Sequence, residues 1–134
     1  MKYEDSIYPN DWLRIAEKDW GRVEFLLEVH DHEAAGFYLQ QSVEKFLKAF
    51  LLSKGWELDR IHDLEALLQD ATVYDPSLEK FRTLCQKITG FYFIERYPLI
   101  VESGLAEEDV SEAAQQVTAL VEKIKTALHA NGVK

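Results

Sequence analysis

Apolar residues at alternating spacings of three and four, in stretches separated by lone glycines and prolines, constrain the fold of this chain more than any other feature. An α-helix repeats about every 3.6 residues, so that spacing gathers side chains on one helix face. From Asp11 to about His30, Leu13, Ala16, Trp20, Val23 and Leu27 form such a face, and Asn10 and Asp11, just after Pro9, supply cap chemistry and an acidic first turn. The chain then turns through His30-Asp31-His32-Glu33 and enters a longer helix to about Lys54, with Ala35, Leu39, Val43, Phe46, Leu47 and Phe50 on its core face. Gly55 suits the left-handed position that follows a helix end. His62-x-x-Glu65 reads as a capping arrangement ahead of a short helix through Leu64, Leu67, Leu68 and Ala71. Asp75-Pro76-Ser77 starts the next helix, which carries Leu78, Phe81, Cys85, Ile88 and Tyr92 inward and ends before Pro98. Phe91-Tyr92-Phe93 belongs to that helix, because no alternating segment nearby offers it a strand partner. A last stripe, Val110, Ala113, Ala114, Val117, Leu120, Val121, Ile124 and Leu128, runs from about Ala106 to Ala130, where Asn131-Gly132 stops it. The expected fold class is all-α: an up-and-down helical bundle of four long helices plus one short helix, forming a single domain over residues 1–134.

The same features exclude several kinds of chemistry. Isolated glycines cannot build the backbone cradle of a phosphate loop, and the chain has neither a G-x-S-x-G elbow nor an H-E-x-x-H pair. The one cysteine, Cys85, cannot form an internal disulfide and falls on a core face, where a thiol is inert. His30-Asp31-His32-Glu33 places successive ligand types in divergent directions and reads as a solvated turn, so no metal or cofactor is expected. With 24 acidic against 15 basic residues, a formal net charge of −9, the chain as a whole repels phosphate backbones and anionic membranes, which leaves only a local basic pocket for anion contact. The N-terminus has no apolar signal region and the longest apolar run is Ala49 to Leu52, so the expected setting is cytoplasmic and off the membrane.

Two places remain where polar residues cluster. Tyr38, Gln41, Lys45 and Lys48 share one stripe of the second helix, away from its core face. The stripe is either an anion-contacting surface or a solvated face on which Glu44 and Lys48 form an ordinary i,i+4 pair, and spacing favours the solvated face. In Glu95-Arg96-Tyr97-Pro98, the proline takes Tyr97 out of helical geometry and sets the direction in which Arg96 leaves the helix. That guanidinium can bind a phosphate, cap the last carbonyls of its helix, or pair with Glu95 or Glu102. His62, beside Asp63, is either a helix cap, which the local pattern favours, or an oriented imidazole.

Taken together, Phe37-Tyr38-Leu39-Gln40-Gln41-Ser42-Val43-Glu44-Lys45-Phe46-Leu47-Lys48-Ala49-Phe50-Leu51-Leu52, then Gly55, His62-Asp63-Leu64 and Arg96-Tyr97-Pro98, resemble the HEPN (higher eukaryote and prokaryote nucleotide-binding) domain from about Asp11 to about Leu128. The resemblance implies an up-and-down bundle that dimerises and is often encoded beside, or fused to, a minimal nucleotidyltransferase, in pairs that act as toxin and antitoxin. Other members are ribonucleases marked by an arginine with a histidine a few residues further on, within a narrow range of spacings, usually completed across a dimer. This chain departs from that mark: no histidine follows Arg96 through Ser103, and Arg22 lies one step too far from His30. Metal-independent RNA cleavage needs a base of near-neutral pKa and a cation, and Arg96 supplies only the cation. The resemblance therefore implies nucleotide or phosphate contacts at Lys45, Lys48, Arg96 and Tyr97, with Gln41 and His62 behind them, and no catalytic residue. The expected function is a non-catalytic homodimeric module that binds a nucleotide or a nucleotidyltransferase partner. One rival is a dimeric ribonuclease toxin with a nonstandard base acting on RNA, and another is a purely structural dimer. Phe25, Phe91 and Phe93 are candidates for the subunit interface.

Overall fold

The periodic segments fold as five α-helices: α1 (Pro9–Glu28), α2 (His32–Ser53), α3 (Leu64–Tyr74), α4 (Arg82–Arg96) and α5 (Glu107–Ala130), with a 3₁₀ segment (Pro76–Phe81) leading into α4. The computed structural model describes residues 5–96, 105–130 and 132, with side chains for all of these except 92–96. Among the described residues the structure is all-α and contains no strand, and none of its helices is long and apolar enough to cross a membrane. Phe91 and the backbone of 92–93 lie in α4, as the missing strand partner implied.

Local chemistry sets the boundaries. Pro9 occupies the first turn of α1, where its missing N–H is no loss, and Tyr8 precedes it in extended geometry with no side-chain cap. Asn10 and Asp11 thus lie inside the helix rather than capping it; the Asp11 carboxylate instead accepts from Ser6 Oγ at 2.6 Å. Asp31 caps α2 by accepting from the Ala34 N–H, and Gly55, at φ +88°, takes the left-handed turn after it. At α3 the cap is Asp63, which accepts from the Glu65 N–H at 3.0 Å. The expected capping role of His62 is therefore not what the structure shows. Asp75 starts the 3₁₀ segment by accepting from both the N–H and the hydroxyl of Ser77, which holds its carboxyl below the usual carboxylate range.

Cross-helix contacts give the topology. Arg22 meets Tyr38, Asp19 meets Lys45 and Trp12 meets Lys48, so residue numbers fall along α1 as they rise along α2 and the two helices run antiparallel. Gly36, near the start of α2, lies against Phe91 near the end of α4, so α4 also runs against α2. The start of α5 is tied to the α1–α2 turn by His30 Nδ1 to Glu107 Oε1 and by His32 Nε2 donating to the Leu105 carbonyl, each 2.8 Å, and Lys125 reaches back to Glu17. The long helices therefore alternate in direction, as expected of an up-and-down bundle. The His30–Glu33 turn is not merely solvated, since both of its histidines hold α5.

The core is one cluster contributed by every helix, and α2 is its axis: α1, α3, α4 and α5 all pack on it. The inward faces expected of the last two long helices are buried at Cys85, Ile88, Val110, Val117, Leu120 and Ile124. Phe91 is also buried, so it is not available to a subunit interface, whereas Phe25 is 60% exposed. Phe93 lies outside the described side chains. Arg82 fastens α3 to the start of α4 by donating to Glu79, Gln69 and Glu65.

Two substitutions test this packing. A Cβ at Gly36 would stand 3.1 Å from Phe91 Cβ, so Gly36→Val should lower unfolding free energy by about 1–3 kcal/mol in urea titrations. Burial pushes the Cys85 thiol up to about 12, which leaves it protonated, and non-nucleophilic, at ordinary pH. An aromatic disulfide reagent at pH 8 should modify Cys85 only at the rate of unfolding.

Candidate functional site

The polar stripe of α2 exists with the spacing expected, but it faces α1 rather than solvent. Lys45 and Lys48 are buried, together with Gln40, Ser42 and Glu44, and residues 42–51 have no exposed position at all. The expectation that this stripe lies away from the core is corrected. Its cause is the number of helices packed on α2, which leaves its C-terminal half without a solvent face.

Charges in such a place require partners, and each has one. Asp19, on the inward face of α1 with its side chain 2% exposed, accepts from Lys45 Nζ and from Arg22 Nη1, both at 2.5 Å. Arg22 lies at the surface end of this group, its guanidinium 5.3 Å from the centre of the Tyr38 ring. Glu44 makes the second group: its Oε2 accepts from Lys48 Nζ at 3.1 Å and from His62 Nδ1 at 3.0 Å. Lys48, fully enclosed, also sits 5.0 Å from the Trp12 ring centre, and the Trp12 indole N–H donates to the Ser6 carbonyl at 2.9 Å. No buried side-chain polar atom lacks a hydrogen-bond partner among the described residues.

The two groups share one plan. A buried carboxylate joins a buried lysine on α2 to a basic side chain at the surface, Arg22 in one case and His62 in the other. Asp19 with Lys45 and Arg22 carries a net positive charge, and Glu44 with Lys48 is neutral before His62 is counted. On a chain of net charge −9 the Asp19 group is a local excess of positive charge.

His62 is 76% exposed at the side chain while Glu44 is nearly sealed. A carboxylate oxygen accepts, so the Nδ1 that meets it carries a proton, and Nε2 is the ring nitrogen turned away from Glu44. Of the two readings open in the sequence, the structure matches the oriented imidazole, with Glu44 rather than Asp63 as the orienting group.

Of the six residues singled out from the sequence, Lys48 and His62 are brought together on Glu44, and Lys45 is placed on Asp19. Gln41 is half-buried and donates to the Gln40 side chain at 2.6 Å. Arg96 ends α4 with its side chain outside the described set, and Tyr97 lies outside the described residues. Sequence reasoning gave the Glu44–Lys48 pair, though on a solvated face, and missed Asp19 and Arg22. Asp19 could have been found: three residues after Ala16 and four before Val23, it is an acid placed on an apolar stripe. A groove of about 600 Å³ lies elsewhere, lined by Lys80, Phe81, Leu84, Lys87 and Gln116 among others, and none of the residues expected from the sequence lines it. Among the described residues no group of His, Cys, Asp and Glu could hold a metal ion.

Removing one member of a buried pair leaves the other charged and alone. Asp19→Ala should therefore cost about 3–5 kcal/mol of stability, and Asp19→Leu combined with Lys45→Met should recover most of it, as read by denaturant titration of the single and double variants.

Comparison with known proteins gives one positive result: the family model described as HEPN domain matches residues 9–127. No curated protein and no solved structure matches the chain.

Proposed function

Because the chain belongs to the HEPN domain family, a nucleotide-related or ribonuclease-like class of module, we propose that it is a non-catalytic, cytoplasmic homodimer that binds a nucleotide or a nucleotidyltransferase partner of the toxin–antitoxin kind. The observation that carries this reading is the pair of surface basic groups, Arg22 and His62, each held from behind by a buried carboxylate that also holds a lysine. A phosphate approaching Arg22 meets guanidinium N–H groups fixed in orientation by Asp19, and fixed donors lose little freedom on binding. Lys45 and Lys48 act from beneath by holding the carboxylates that orient Arg22 and His62, a role that differs from direct contact. Gln41, Arg96 and Tyr97 complete the set on the strength of the family resemblance. The missing histidine downstream of Arg96 supports binding without cleavage.

A second reading has its own support. His62, with Nδ1 on Glu44, presents Nε2 as a base to whatever approaches the surface, which is the group that a ribonuclease lacking the family's usual histidine would need.

The test is a titration of the full chain with ATP and with a single-stranded RNA in the presence of chelator, following the fluorescence of Trp12, Trp20 and Trp56 and the integrity of the RNA. Binding without cleavage is expected, weakened at least tenfold by Arg22→Ala and by His62→Ala with melting temperature nearly unchanged. RNA cleavage abolished by His62→Gln would establish the ribonuclease reading instead. Binding lost only in Lys80→Glu/Lys87→Glu would move the ligand to the groove beside α4, and no binding of either probe would leave the partner protein as the ligand to seek.

A further inference from the structure

We infer that the outward face of α1 is the contact between two copies of this chain, paired antiparallel with Phe25 of each copy seated on Gly21 of the other. This deepens the homodimer named above and rests on that part of the reading.

Gly21 lies in the middle of a 20-residue helix, where glycine is a poor choice, and a Cβ built there would meet nothing within 4 Å. Nothing inside the chain calls for its small size, in contrast to Gly36, which packs under Phe91. One helical turn on, Phe25 is a large apolar side chain left with 60% of the residue exposed. The two residues share the face opposite Asp19 and Val23, so an open space and an unburied aromatic lie side by side.

The charges on that face select the occupant. Lys18 lies one turn before Gly21 and Glu28 one turn beyond Phe25; both are exposed, and neither has an ion-pair partner among the described residues. In an antiparallel pair in which Phe25 lies over Gly21 of the second copy, Lys18 lies opposite Glu28 of that copy. The two-fold axis repeats both contacts, giving two aromatic-on-glycine contacts flanked by two ion pairs. A parallel pair would instead set Lys18 against Lys18 and Glu28 against Glu28, with repulsion at both ends. The face is thus complementary to itself in one direction only.

Sedimentation equilibrium of the full chain reads the outcome. A dimer is expected, with dissociation made at least tenfold easier by Lys18→Glu and by Glu28→Lys, and restored to within about twofold of the parent when the two are combined. Gly21→Gln should raise the melting temperature, because glutamine is the better helix former and meets no neighbour, while weakening the dimer at least tenfold; that opposition separates an interface from a folding defect. A dimer indifferent to Gly21→Gln, or one not rescued by the charge exchange, overturns the assignment of this face and leaves the homodimer standing. A monomer overturns both, while the ATP and RNA titrations decide ligand binding independently.

Discussion

The structure depends on a helix that has no outside. With α1, α3, α4 and α5 all packed on it, α2 buries every residue from 42 to 51, and that stretch contains Glu44, Lys45 and Lys48. Charged groups in such a place are tolerated only when each is paired and hydrogen-bonded, because the free energy of leaving water is large. The positions of Asp19 on α1 and of His62 in the α2–α3 connection follow from that demand: the first answers Lys45, and the second takes the Glu44 oxygen that Lys48 shares. The surface features that could meet a ligand are therefore the outer ends of an arrangement whose inner ends hold the bundle together.

Periodicity was informative wherever a helix has two faces, and it misled where a helix has one. α1, α4 and α5 each bury one stripe and solvate the other, so spacings of three and four gave their existence and most of their core residues, and their extent except at the start of α4, where Pro76–Phe81 is 3₁₀ rather than α. On α2 the polar stripe was read as solvent-facing because polar residues usually are. The cue against that reading was available: from Val43 to Leu52 apolar residues occur on all sides, which is the pattern of a helix buried all round, and the charged residues are too few to cover a face. Exact caps were less legible. Asp63 and His62 are neighbours with overlapping cap chemistry, and the choice between them is settled by Glu44, a residue 18 positions away that no local pattern contains.

The candidate site was legible as a set of residues but not as an arrangement. The string from Gln40 to Lys48 that carries the family resemblance has a packing reason of its own here, since Gln40, Glu44, Lys45 and Lys48 are all buried and all bonded. The surface group that complements it, Arg22, lies on another helix and drew notice only for its distance from His30. A sequence displays residues that lie close along the chain, whereas both charge groups are assembled from elements that meet only after folding.

Why retain two buried ion pairs in a core that hydrocarbon would fill at least as well? Between two antiparallel helices lined with similar aliphatic residues, neighbouring registers differ little in apolar contact, and one helix can slide on the other by a turn at small cost. Charges remove that degeneracy. A one-turn slip of α1 along α2 would separate Asp19 from Lys45 and Trp12 from Lys48 at once and bury unpaired charge, whereas in the observed register every buried side-chain polar atom among the described residues is satisfied. The pairs thus disfavour slipped competitors of the native bundle, and the same carboxylates hold Arg22 and His62 at the surface. A seam of aliphatic residues would leave both side chains free to turn.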